Sequence, residues 1–149
     1  MTWAVHVLTK PELQRKAPRG QGPLDWAELL SAAERQAYSP PHGGCLVVAR
    51  DAGALGGWAG FKRIAPKACE IGQFVVRSEY RGKGLGTRLM QGLLNEARRM
   101  GYARVVSRLE PWCPEWRAFY TGHGFAFVNA DDEDTAAASQ GAMMELVLD

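Results

Sequence analysis

The run Phe74-Val75-Val76-Arg77-Ser78-Glu79-Tyr80 leads into Arg81-Gly82-Lys83-Gly84-Leu85-Gly86-Thr87, and the pattern changes there from strand-like to helical. Beyond it Leu85, Leu89, Met90, Leu93, Leu94, Ala97 and Met100 recur at the spacing of one helix face, and Gly101 supplies a stop. A strand joined to a helix through three glycines presents successive backbone N–H groups at the helix N-terminus. Unpaired donors and the positive end of the dipole favour an anion there. Gly82, Gly84 and Gly86 carry no Cβ where a phosphate would approach, and Arg81 and Lys83 can add charge. From these residues alone two readings stand: an anion cradle, or a glycine-rich turn without a ligand.

Two familiar phosphate loops can be tested against the stretch. A Walker loop requires Ser or Thr after its GK pair, but Lys83 is followed by Gly84, so that reading fails. A dinucleotide fingerprint is spaced GxGxxG, whereas Gly82, Gly84 and Gly86 are spaced GxGxG. Glu110 stands where a ribose-binding acid would be expected, so a nucleotide-binding domain remains a rival. Against it stands the pattern upstream of the loop.

That upstream pattern reads as a strand at about Trp3 to Thr9, a loop from Lys10 to Gly22, and a helix from Leu24 to Tyr38 with a capping box at Asp25 and Glu28. Three strands follow, Cys45 to Arg50, Leu55 to Arg63 and Cys69 to Arg77. The short turns between them favour antiparallel pairing. After the long helix come a strand from Ala103 to Glu110, a short helix from Pro114 to Tyr120, and strands near Phe125 to Val128 and Ala142 to Leu148. The order predicts an α/β (α+β) fold: a mixed, mostly antiparallel sheet with helices packed on it, as one domain over residues 1–149.

Bulk properties exclude more than they assign. A formal net charge of +2 does not by itself imply a nucleic-acid or membrane partner, and neither is expected. Cys45, Cys69 and Cys113 form no CxxC pair, and His6, His42 and His123 no HExxH, so no metal site is expected. The first residues lack the pattern of a secretory signal and no stretch reaches membrane-span length, which makes the cytoplasm the expected compartment.

With these residues assembled, the chain resembles the GNAT superfamily of acyl-CoA-dependent N-acetyltransferases. Its signature is Arg or Gln, two residues, Gly, one residue, then Gly or Ala, and Arg81, Gly84 and Gly86 match it. Phe119-Tyr120-Thr121-Gly122-His123-Gly124-Phe125 is similar to the family's second marker, an aromatic-Tyr pair followed by Gly-Phe. The resemblance spans about Cys45 to Leu148 and implies helices on both faces of the sheet and a splay between its two central strands. It implies acetyl-CoA as co-substrate, its pyrophosphate held by the amides of Arg81, Gly82, Lys83, Gly84, Leu85, Gly86 and Thr87. Its pantetheine would pair with the backbone of Phe74, Val75 and Val76 like an added strand.

The same resemblance implies roles for the reaction, transfer of an acetyl group to a primary amine by direct attack in a ternary complex. Tyr120 corresponds to the general acid, and a phenol of pKa about 10 is comparable in basicity to the departing thiolate. Glu70, eleven residues before Arg81, stands where one branch of the family carries its base. A backbone N–H near Val76 would meet the oxyanion. Cys113 departs from the family, occupying a position commonly Asn, and offers a rival acyl-carrying thiol. A non-catalytic acyl-CoA-binding module is the other alternative, and homodimers are common in the family.

Three further features stay open in the sequence. His123 reads as helix-end packing or a solvent-facing side chain. The acidic run Asp131 to Asp134 either keeps a loop solvated or folds over the acceptor cleft, where it would favour cationic amines. Trp58, Trp112 and Trp116 either line an acceptor pocket or fill the core.

Overall fold

The computed structural model describes residues 3–14, 30–51, 54–109, 114–128 and 142–148. Among the described residues seven strands form one sheet: β1 (Ala4–Val7), β2 (Cys45–Asp51), β3 (Ala54–Ala65), β4 (Ala68–Val76), β5 (Arg104–Leu109), β6 (Ala126–Phe127) and β7 (Ala142–Val147). Their order is β1-β2-β3-β4-β5-β7-β6. All neighbours pair antiparallel except β4 and β5. That parallel pair needs a crossover, and α3 (Leu85–Arg99) supplies it.

Alternation along the strands divides the apolar residues between two faces. Cys45, Val47 and Ala49 of β2 face α3 and α4 (Pro114–Gly122), in a core that takes in Leu85, Leu89, Met90, Leu93, Leu94, Tyr120 and Phe125. Leu46 and Val48 face the other way, toward Leu13 of α1 (Lys10–Gln14), Leu30, and Tyr38 just beyond α2 (Ala32–Ala37). The stripe read from α3 is buried from Leu85 to Ala97, and each fully buried leucine contributes roughly 1.5–3 kcal/mol relative to exposure. Met100 caps the helix and Gly101, at φ 85°, turns the chain away.

Two expectations are corrected in the first third. The segment from Lys10 is helical through Gln14, not loop. Its signal was legible: Glu12 Oε1 accepts from Thr9 N–H at 3.1 Å and Glu12 N–H donates to Thr9 Oγ1 at 3.4 Å, a capping box. The helix expected to reach Tyr38 runs only over Ala32–Ala37 among the described residues, with Ser31 as N-cap and Glu34 closing the box. The Asp25–Glu28 box lies outside the described residues, as do Glu110, Trp112, Cys113 and Asp131 to Asp134.

The feature that makes a site is in the middle of the sheet. Rungs between β4 and β5 run from Ala68–Arg104 to Ile71–Ser107 and stop there. Strand β4 continues to Val76 against β3, and a bulge at Gly72 marks the departure: Gly60 pairs with Gln73 and Phe61 with Ile71. The sheet is therefore forked beyond Ile71, as the splay required.

Candidate active site

The loop after β4 presents open backbone amides at the start of α3. Residues Ser78–Tyr80 make a 3₁₀ turn, and Gly82 and Gly84 then take φ of 76° and 79°, values that favour glycine. The first i→i−4 bond of α3 runs from Arg88 N–H to Gly84 O, so the amides of Leu85, Gly86 and Thr87 precede it, and no side chain caps them. Arg81, Gly82, Lys83 and Gly84 are exposed. Arg81 also ties the loop back to the end of β4, its Nε donating to Val76 O at 3.1 Å.

A cavity of about 640 Å³ opens from this loop along β4, lined by Phe74, Val75, Val76, the glycine loop, Trp116 and Phe119. Arg77 N–H donates to Gly56 O of β3, so strand alternation turns the N–H and C=O of Val76 and Phe74 toward the open edge. Phe74 meets Phe119 and Trp116 edge to face, with centroids 5.3 and 5.9 Å apart, which makes the far wall apolar. Trp116 thus belongs to the groove beside the loop. Trp58 is buried on the opposite face, its Nε1 donating to Gln73 Oε1 at 3.5 Å.

Tyr120 lies at the fork itself. It is 2% exposed, and its hydroxyl accepts from Ser107 Oγ at 3.0 Å, Ser107 being the last rung between β4 and β5. Burial pushes the phenol up to about 12, against a smaller lowering by the Ser107 bond. The acidity expected from the sequence, near that of the thiol, is corrected by this burial. His123 packs on Phe119 with centroids 4.8 Å apart and burial lowers its pKa, in keeping with helix-end packing.

Glu70 is the third residue of β4, and its side chain is 24% exposed. It faces away from Tyr120 into a second cavity of about 540 Å³, lined by Glu34, Tyr38, Lys62, Ile71, Gly72 and Arg108 among others. Lys62, its register partner on β3, pairs with it at 3.7 Å. The Tyr38 ring is buried and burial first, then Glu34 and Glu70, raise its pKa to about 12. Gly72 must be glycine here, since a Cβ would lie 2.1 Å from the Tyr38 hydroxyl. Among the described residues no three His, Cys, Asp or Glu side chains gather as a metal site, and no helix is long and apolar enough to cross a membrane.

The two cavities meet the same strand on either side of the fork, one at Phe74 to Val76 and the other at Glu70 to Gly72. Of the residues singled out in the sequence, the loop and Phe74 to Val76 line one cavity, Glu70 lines the other, and Tyr120 lies buried between β5 and α4, lining neither. Sequence reasoning did not single out Ser107, a buried hydroxyl within the apolar run of β5, or the second cavity's Glu34, Tyr38, Lys62 and Arg108, which only the tertiary fold assembles.

The sheet is forked between two parallel strands, with the glycine loop at one end of the opened edge and a polar cavity at the other. Comparison with known proteins gives the family. The model of the acetyltransferase (GNAT) family matches residues 9–125, and the chain belongs to that family. No curated protein sequence matches it. Among solved structures it is similar to Ard1 from Thermoplasma volcanium, with 16% identity, TM-score 0.70 and 99% of each chain covered. A GNAT family acetyltransferase from Elizabethkingia anophelis with acetyl-CoA bound is 13% identical, with TM-score 0.69 and 98% of each chain covered. An IAA acetyltransferase from Bacillus cereus is 19% identical, with TM-score 0.68, covering 99% of this chain and all of that one. At these identities the likeness is one of fold.

Proposed function

We propose that the chain, acting as one domain, transfers an acetyl group from acetyl-CoA to a primary amine by direct attack in a ternary complex. The observation that carries this is the fork: a groove with uncapped amides at one end reaches, along a single strand, a second cavity lined by carboxylates. The amides of Leu85, Gly86 and Thr87 would hold the diphosphate, with Lys83 adding charge. Phe74 and Val76 would pair with the pantetheine amides as β5 pairs with the earlier part of β4. The thioester then arrives at the fork.

At that point the acceptor ammonium yields one proton to Glu70 through water, and the free amine attacks the carbonyl carbon. A C–N bond forms, and a backbone N–H that β4 leaves open at the fork meets the charge that develops on oxygen. The C–S bond breaks as the carbonyl re-forms, the departing sulfur takes a proton from Tyr120, and the second amine proton restores the phenol. Burial keeps Tyr120 protonated at working pH, so this donor is always loaded. The free thiols Cys45 and Cys69 are buried with pKa raised to about 12, which suits packing rather than acyl transfer and fits a reducing cytoplasm.

The experiment is a screen of primary amines with acetyl-CoA, reading thiol release and the acetylated product. Amine-dependent release is expected. Tight CoA binding with no turnover on any amine would instead make the chain an acyl-CoA-binding module, with Glu70 and Tyr120 structural.

A further inference from the structure

Tyr38 is 3% exposed and lines the second cavity, yet its hydroxyl makes no hydrogen bond among the described residues. A buried hydroxyl without a partner is unfavourable, and phenylalanine would fill the same space without one. Resting on the transferase reading above, we infer that Tyr38 binds the acceptor: its hydroxyl oxygen accepts a hydrogen bond from the amine and holds the nitrogen at the fork.

The local sequence fixes where that oxygen sits. Helix α2 ends at Ala37, and Tyr38 N–H donates to Glu34 O at 2.9 Å as the last turn closes. Ser39 Oγ donates to Gln36 O at 2.8 Å, and Pro40 and Pro41 open the next turn. The ring is thereby laid over β3 and β4. A Cβ on Gly60 of β3 would stand 3.0 Å from its Cδ1, and one on Gly72 of β4 would stand 2.1 Å from its hydroxyl. The second of these glycines makes room chiefly for the oxygen, since the nearest ring carbon is 3.3 Å from the same point. Gly72 is also the bulge at which β4 leaves β5, so the hydroxyl rests on the backbone of the fork.

Its surroundings settle the direction of the bond. Glu34 and Glu70 line the same cavity, and together with burial, the larger effect, they raise the phenol's pKa to about 12. Tyr38 therefore stays protonated at working pH and is no base. A neutral hydroxyl keeps lone pairs for an N–H donor, and an incoming amine brings such donors. The nearby carboxylates are already engaged. Glu34 Oε1 accepts from Ser31 N–H at 3.1 Å and Oε2 from Gln73 Nε2 at 3.4 Å, while Glu70 pairs with Lys62 at 3.7 Å. The bond from Gln73 to Glu34 ties α2 to the residue after Gly72, which keeps the Tyr38 ring in register with the strand that would carry the pantetheine. With Glu70 taking its proton through water, the amine has in Tyr38 an uncharged contact that stays in place once that proton has left.

The test is Tyr38→Phe, which keeps the ring and its seat on Gly60 and removes only the oxygen. Thiol release is measured with acetyl-CoA and the best amine from the screen, alongside calorimetry with acetyl-CoA and the thermal midpoint. The kcat/KM for the amine is expected to fall about tenfold or more, the weight of one hydrogen bond, with most of the change in KM. The Kd for acetyl-CoA and the thermal midpoint are expected to hold, which separates a contact with the acceptor from a structural role. An unchanged kcat/KM, or a loss that comes with weaker acetyl-CoA binding or a lower midpoint, would overturn the inference while leaving the transferase reading in place. Failure of every amine to release thiol from the unaltered protein would overturn both.

Discussion

Ser107 Oγ donates to Tyr120 Oη at 3.0 Å across the last rung between β4 and β5, so the phenol is fixed at the one point where the sheet opens. Tyr120→Phe should therefore lower kcat by roughly 10²-fold or more while changing the Kd for CoA little. Ser107→Ala removes the interaction that lowers the phenol's pKa, and kcat should fall several-fold with the fold intact. An unchanged rate in Tyr120→Phe would remove it as the acid.

Gly84 caps α3 at φ 79°, with nothing within 4 Å of where its Cβ would stand. A side chain there costs roughly 1–2 kcal/mol of backbone strain and projects into the space where the diphosphate would sit. Gly84→Val should weaken acetyl-CoA binding at least about tenfold by calorimetry. Retained affinity would place the diphosphate elsewhere.

The loop and the strand before it were legible in the sequence because their signal is local. Positive φ demands glycine, and a helix stripe repeats within one segment, so Gly82, Gly84 and the run from Leu85 to Ala97 announce themselves. The second cavity had no such signal. Glu34, Lys62, Glu70 and Arg108 come from four elements, and only the pairing of β3, β4 and β5 with α2 laid over them brings the charges together. Tyr120 lay between these cases: its position was readable, its acidity was not, since burial among Trp116, Phe119 and Phe125 sets it.

Alkaline pH should destabilise the protein. Burial raises Cys45, Cys69, Tyr38 and Tyr120 to about 12 in the folded chain. Their unfolded values lie lower, near 8.5 for the thiols and 10 for the phenols. Above about pH 8 the unfolded chain binds fewer protons than the folded one, so the stability that is fully present below that point declines as pH rises toward about 12. The thermal midpoint should hold level around neutrality and fall progressively beyond about pH 8. A level midpoint up to about pH 11 would contradict the burial of these groups.

Leu89 is fully buried where α3 packs on β3, and its Cδ1 lies 3.1 Å from where a Cβ on Gly57 would stand. Leu89→Ala should cost roughly 2–5 kcal/mol in denaturant unfolding, through lost burial and the cavity left behind. A loss below about 1 kcal/mol would show that α3 does not dock on the sheet in this way.

The most direct measurement is a calorimetric titration of the protein with acetyl-CoA, ATP and NAD in the same buffer. The account predicts that acetyl-CoA binds at least about a hundredfold more tightly than either nucleotide, because the forked edge beside Phe74 and Val76 adds a pantetheine contact that neither nucleotide makes. Binding of ATP or NAD as tight as that of acetyl-CoA would contradict it.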